Sequence, residues 1–366
     1  MGEHFPPNAT LDKLFGSVRE PSSARPNCRT VFERPGDGIV FAQTATAREP
    51  GAHGSSPGDT ARFQQAIADT AQEIEALLGR LLTPRPEAGE ISRPARLLEA
   101  MRYATLGGGK RIRPFLVTQT AQLLGAERSH ALHVGAALEC IHCYSLVHDD
   151  LPAMDDDALR RGRPTVHKAF DDATAILAGD ALLTFAFDIL SRPECHPAEG
   201  VRIALIAALA RASGIGGMAG GQMLDLEAEG RFATAAPPLH DIAGVRTLQR
   251  MKTGALLHFA CLSGALLAQA DHEARDSIER YGFAIGEAFQ IADDLLDIEG
   301  DPAVVGKATG KDASANKATL VDLLGVPAAR ERLNELVALA EQALARFGSA
   351  AAGLKATARF IANRNA

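Results

Sequence analysis

AALECIHCYSLVHDDLPAMDDD, residues 136–157, runs an apolar stretch into five aspartates. Between Ala136 and Val147 residues at i and i+3 share one face, the pattern of a buried helix. Carboxylates are costly to bury without a partner, so acids in this setting call for a chemical reason. Asp149 and Asp155 are six positions apart, which an ideal helix sets about 120° out of line. Pro152 lies between them and removes a helical hydrogen bond. A break or bulge there returns Asp155 to the side of Asp149, so the spacing predicts a distorted helix end.

A second acidic segment, QIADDLLDIEGD, occupies Gln290 to Asp301. Asp293 and Asp297 are i and i+4 and face one side of a helix. Magnesium takes hard oxygen ligands and commonly bridges carboxylates to substrate phosphates. Two carboxylate clusters on facing helices suit several such ions around one diphosphate. Basic segments accompany them. LGGGKRIRP (106–114) sets three glycines before Lys110, Arg111 and Arg113, and DALRRGRPTVHK (157–168) brings Arg160, Arg161, Arg163 and Lys168. Exposed N–H groups at a helix start, joined by Lys and Arg, suit an anion. The glycine run is not a P-loop, because Arg111 stands where Ser or Thr belongs. RMKTGALL (250–257) and GKATGKDASANKATL (306–320) add Lys252, Lys307, Lys311 and Lys317.

The 366 residues are 46% apolar and 5% aromatic, with no Trp and a predominance of Ala and Leu. That balance favours helix over strand. From Thr60 onward helical spacing continues through Phe63, Ile67, Ile74, Leu77, Leu78 and Leu81. Long helices are predicted near 94–106, 111–124, 130–149, 172–191, 200–218, 242–269, 273–299 and 326–347, with no alternating strand. The reading is all-α: one large helical domain over residues 59–366, of about ten helices. Residues 1–58 are Pro- and Gly-rich and read as a disordered or loosely attached extension. The net charge of −7 argues against a general nucleic-acid binder. Five cysteines, Cys28, Cys140, Cys143, Cys195 and Cys261, are too few and too odd for a disulfide framework, and Cys140 with Cys143 reads as a pair of buried thiols. No run is expected to reach the ~20 apolar residues of a membrane span. No signal or transit segment is evident at the start, and the expected location is the cytoplasm.

GGGKRIRP, HDDLPAMDDDALRRGRPTVHK, GGQMLDLEAEG, KTGALL and FQIADDLLDIEGD stand in the order found in trans-prenyltransferases (isoprenyl diphosphate synthases). The chain resembles that family, its farnesyl-forming bacterial branch above all, from about Thr60 to Ala366. The resemblance implies a helical isoprenoid-synthase bundle around a central cavity, usually a homodimer. Asp149, Asp150 and Asp155 resemble the first aspartate motif, and Asp293, Asp294 and Asp297 the second; together they imply about three Mg²⁺ ions, with Mn²⁺ as a substitute. Lys110, Arg113 and His142 resemble the isopentenyl diphosphate contacts, with Arg161 beside them. Arg160, Lys252, Thr253, Gln290, Lys307 and Lys317 resemble positions at the allylic diphosphate. Without the resemblance, His142 on an apolar helix reads as a satisfied core group.

The implied reaction ionises an allylic diphosphate, and isopentenyl diphosphate attacks the resulting cation. Stabilising developing charge then carries the catalysis, with Asp149, Asp155, Arg160, Lys252 and Asp293 as its residues. Tyr144 and Ser145, five and four residues before Asp149, are the expected determinants of chain length, Tyr144 lying about 7.5 Å along the helix axis. An aromatic there implies a farnesyl product, with geranylgeranyl diphosphate as the alternative. A terpene cyclase is a rival reading, but its second metal motif usually carries Asn, Ser and Glu. A non-catalytic subunit would typically lack one aspartate motif, and both are present.

Overall fold

The protein is described by a computed structural model over residues 57–232, 241–299 and 319–363. The chain divides into Met1–His53 and Gly54–Ala366, and all described residues belong to the second unit. The expected loose extension, Cys28, Lys307, Lys311 and Lys317 lie outside the described residues, except that Pro57 and Gly58 already belong to the first helix. In chain order the helices are α1 (Pro57–Leu81), α2 (Ala95–Thr105), α3 (Ile112–Leu123), α4 (Arg128–Asp149), the single turn α5 (Val166–Ala169), α6 (Asp172–Ser191), α7 (Glu199–Ser213), α8 (Met218–Ala228) and α9 (Ile242–Gln249). A π turn, Arg250–Gly254, leads from α9 into α10 (Ala255–Leu267). Then come α11 (His272–Glu299), α12 (Leu320–Leu324), α13 (Val326–Ala343), a 3₁₀ segment (Ala345–Ala351) and α14 (Ala352–Ala362).

The helix α10 is apolar nearly all round, and Leu256, Leu257, Phe259, Ala260, Cys261 and Ala265 through Leu267 are buried. A helix of that kind belongs at the centre of a bundle, and α10 packs against α3, α11 and α7. Gly264 allows its close approach to α3: a Cβ there would stand 2.6 Å from the Ala121 backbone nitrogen. Side chains from the sequence set the helix starts. Asp171 and Asp241 accept from Thr174 N at 2.8 Å and Gly244 N at 2.7 Å. Thr319 and Asp322 cap each other reciprocally, which satisfies two backbone donors at once. At the far end, Tyr281 is fully buried and donates to Leu354 O at 2.8 Å, tying α11 to α14.

Three helices and one short ribbon differ from the sequence reading. The helix expected over 200–218 stops at Ser213, and α8 begins after the segment Gly214–Gly217, where Gly214 and Gly217 have no room for a Cβ against neighbouring carbonyls. The helix expected over 242–269 contains the π turn. The one expected over 326–347 ends at Ala343, and α14 follows a 3₁₀ stretch. Leu159–Arg160 also pairs antiparallel with Arg163–Pro164, a ribbon too short for alternation to reveal. By length and composition alone, α6 and the stretch Glu199–Ala228 are apolar enough to cross a membrane, so the expectation that no run reaches that length does not hold by this measure. The second stretch is broken between α7 and α8, and half of α6 is buried within the bundle, chiefly against α4 and α2.

Candidate active site

A cleft of about 350 Å³ opens between the end of α4, α8 and the π turn. Arg113, His142, Tyr144, Ser145, Asp149, Lys252 and Thr253 line it, with Met154, Met218 and Met223 among the apolar walls. Thioether side chains adapt to irregular apolar guests. The π turn is what presents both Lys252 and Thr253: the extra residue rotates the register between α9 and α10, and such turns frequently mark functional positions.

The first aspartate segment has the distorted geometry that Pro152 predicts. The helix α4 ends at Asp149, and the chain doubles back so that Asp155 N donates to Asp149 O at 2.8 Å. Burial pushes the Asp149 carboxyl up to about 6; Lys252 opposes the shift and Asp155 adds to it. Asp150 faces away from the cleft lining. It is 3% exposed and is held by the Arg160 fork, with Nη2 at 2.6 Å and Nε at 2.8 Å.

The glycine loop receives the arginines of the short ribbon. Arg161 Nη1 donates to Gly108 O at 2.7 Å, and a Cβ at Gly107 or Gly109 would strike Arg163 or Arg161 respectively. Lys110 is exposed and stands 5.8 Å over the Phe360 ring. Arg111 is not turned to the loop surface. It forms a buried ion pair with Glu139 at 2.5 Å and donates to Thr105 O. Arg113 has a buried Nε without a partner; burial lowers its pKa, against the fields of Glu139 and Asp293. Its position thus relates the cleft to the second aspartate segment. Burial holds His142 well below the usual imidazole range, and Arg113, Arg161, Arg111 and Arg160 deepen the shift, so the ring is neutral at pH 7.

On α11, Asp293 is exposed and Asp297 half-buried, whereas Asp294 is 4% exposed. Gln290 Nε2 donates to Asp294 Oδ1 at 2.9 Å and Gln249 Nε2 to its Oδ2 at 2.8 Å. The Gln290 amide is therefore engaged with Asp294. Lys252 Nζ pairs with buried Asp225 Oδ2 at 2.6 Å. Tyr144 stands edge-on to His148, centroids 5.8 Å apart, and Ser145 Oγ donates to His142 O at 2.9 Å. Cys140 and Cys143 are free and buried.

Sequence reasoning did not single out Asp225, Gln222 or Gln249. The first two lie in GGQMLDLEAEG and were open to notice; Gln222 lines the cleft with its Nε2 buried and unpartnered. Gln249 carries no local signal.

Among the described residues, no three His, Cys, Asp or Glu side chains stand close enough to form a metal site by themselves. The donor chemistry nevertheless fits a hard divalent cation. The carboxylates are oxygen ligands, and Asp149 and Asp155 repel each other across a desolvated rim, a repulsion a cation would relieve. Magnesium is commonly held by one or two carboxylates plus substrate phosphates, so a self-sufficient cage is not required.

A helical bundle with acidic and basic groups converging on one apolar cleft is the architecture of the isoprenoid-synthase class. A family model for polyprenyl synthetases matches residues 94–351, and the chain belongs to that family. The farnesyl diphosphate synthase of Haemophilus influenzae is 44% identical over 302 residues, 81% of this chain and 98% of its own. That of Escherichia coli is 43% identical over 310 residues, 83% and 99% of the two chains. Among solved structures, an FPP/GFPP synthase from Zymomonas mobilis superposes with a TM-score of 0.73 at 47% identity, covering 82% of this chain and 99% of its own.

Proposed function

We propose that the chain joins isopentenyl diphosphate head to tail to dimethylallyl and geranyl diphosphates and delivers farnesyl diphosphate. The observation that carries this reading is the cleft itself: Asp149, Lys252, Thr253, Arg113, His142 and Tyr144 all line one largely apolar cavity. The farnesyl diphosphate synthases named above, similar over nearly their whole length, support the same product.

The two aspartate segments, Asp149, Asp150 and Asp155 with Asp293, Asp294 and Asp297, would hold divalent cations, about three Mg²⁺ by family likeness, with Mn²⁺ as a substitute; of the adjacent pairs, Asp149 and Asp293 are the more accessible members. When bound, these ions neutralise the leaving diphosphate and so favour breaking of its C–O bond. Arg160 keeps Asp150 and the segment after α4 in place. Lys252, steadied by Asp225, adds a fixed positive charge at the allylic diphosphate, and preorganised charge of this kind lowers the barrier without reorganisation. Thr253, in the cleft lining, is assigned to shield the developing allylic cation. Lys110, Arg113 and Arg161 attract the second diphosphate, and neutral His142 can donate one hydrogen bond to it. The double bond of isopentenyl diphosphate then closes on the cation, and the released diphosphate accepts the departing proton. Tyr144 limits the length of the growing chain. The same reading takes the working enzyme as a cytoplasmic homodimer, with the dimer to be checked by light scattering.

The test is incubation of the purified chain with isopentenyl and dimethylallyl diphosphates and Mg²⁺, with products sized by chromatography. Farnesyl diphosphate is the expected end product. A dominant geranylgeranyl product would move the assignment to the longer-chain synthases, and no elongation would overturn it.

A further inference from the structure

Gln249 is the last residue of α9, just before the π turn. It is buried, and its Nε2 reaches Asp294 Oδ2 at 2.8 Å. The orientation of this amide is forced, because a flipped amide would set Oε1 against a carboxylate oxygen. The arrangement has a cost: Oε1 is left buried without a partner, and an unmatched buried carbonyl is unfavourable. A methionine of similar size would fill the space without that penalty, so packing alone does not account for the glutamine. Its one bond links two parts of the site. Three and four positions on, Lys252 and Thr253 face the cleft. Across the bond, Asp293 and Asp297 flank Asp294 on α11. The outer side of the same turn is fastened to the same helix, since Arg246 and Arg250 reach Glu287 at 3.0 and 3.4 Å.

We propose that Gln249 is a positioning residue for the second aspartate cluster: by engaging Asp294 it holds the carboxylates of α11 in register with the turn that carries Lys252 and Thr253. This inference rests on the function proposed above. Groups that orient metal ligands without touching the metal are typically worth about 10–100-fold in metal affinity.

The experiment compares the full chain with Gln249→Met, Gln249→Glu and Gln249→His. Mn²⁺ binding is read from the free-ion electron paramagnetic resonance signal in the presence of inorganic pyrophosphate, where no turnover occurs. Thermal melts are recorded on the same metal-free samples. The Met variant is expected to bind Mn²⁺ roughly 10–100-fold more weakly, a loss beyond whatever fall in melting temperature follows from taking one donor from buried Asp294. The Glu variant should lose at least as much, through like-charge repulsion, and it serves if the Met variant does not fold. The His variant, whose ring N–H can replace the amide donor, should recover part of the loss. Parental Mn²⁺ affinity in the Met or Glu variant, or a fall in melting temperature alone, overturns the proposal. Turnover of the parent is measured alongside. An inactive parent sinks the proposed function, whereas unchanged Mn²⁺ binding in the variants beside an active parent sinks only the role of Gln249.

Discussion

Asp149→Asn should make the metal-free protein more stable while removing its activity. Burial pushes the Asp149 carboxyl from 3.8 up to about 6. An acid with a native pKa above its unfolded value holds its proton more tightly when folded. Its stabilising contribution is therefore complete below about pH 4, is lost between about pH 4 and pH 6, and is gone at pH 7.5. A shift of about two units at ~1.36 kcal/mol each gives roughly 3 kcal/mol of strain in the ionised form. Asp155 and Asp150 contribute to that rise, so part of it is repulsion within the cluster. Asparagine keeps the shape and drops the charge. In EDTA at pH 7.5 the variant should gain about 2–3 kcal/mol, on the order of 5 °C in Tm for a chain of this size. At pH 4 the two proteins should melt together. Adding Mg²⁺ with pyrophosphate should raise the parent and leave the variant nearly unmoved, since a ligand that binds only the native state stabilises it. A variant that melts at or below the parent at pH 7.5, or that keeps its advantage at pH 4, refutes the reasoning.

Three further outcomes follow from the same structure. Tyr144→Ala should lengthen the product toward geranylgeranyl diphosphate; burying half of one more five-carbon unit is worth about 2 kcal/mol, on the order of 30-fold in product ratio, read by chromatography. Glu139→Gln should cost about 3–5 kcal/mol in urea unfolding, because Arg111, 2% exposed at its side chain, would be left as a buried charge without its counter-ion. Gly179→Ala should lower stability by about 1–3 kcal/mol in thermal melts and disturb chain-length control, because the new Cβ would fall on the His148 ring that stands against Tyr144.

The helices were legible because their periodicity is written locally: α10 reads as apolar on every face, and it lies at the centre of the bundle. The bend after Asp149 was legible for the same reason, since Pro152 acts on its own neighbours. The π turn was not, because the lone Gly254 does not announce an inserted residue, which is accommodated by packing against α8 and α11. Arg111 shows the limit for charges. Its position in GGGKRIRP matches its neighbours Lys110 and Arg113, yet a left-handed φ of 48° turns it inward to Glu139, 28 positions away. Gln249 was invisible for a related reason, its partner being 45 positions distant.

Adjacent aspartates cannot do the same work on a helix, because successive side chains point about 100° apart. In each acidic segment the paired residues have accordingly divided. Asp149 and Asp293 are the more accessible, while Asp150 and Asp294 turn inward and are occupied by the Arg160 fork and by two glutamine amides respectively. The inward partners differ in charge, and the difference has a consequence. Arg160 neutralises Asp150, so the first segment carries less excess negative charge than its five aspartates imply. The amides of Gln249 and Gln290 orient Asp294 without themselves bringing a positive charge to it. The second segment is thus the one where a change to a neutral hydrogen-bond donor, rather than to a ligand, is expected to show in metal affinity.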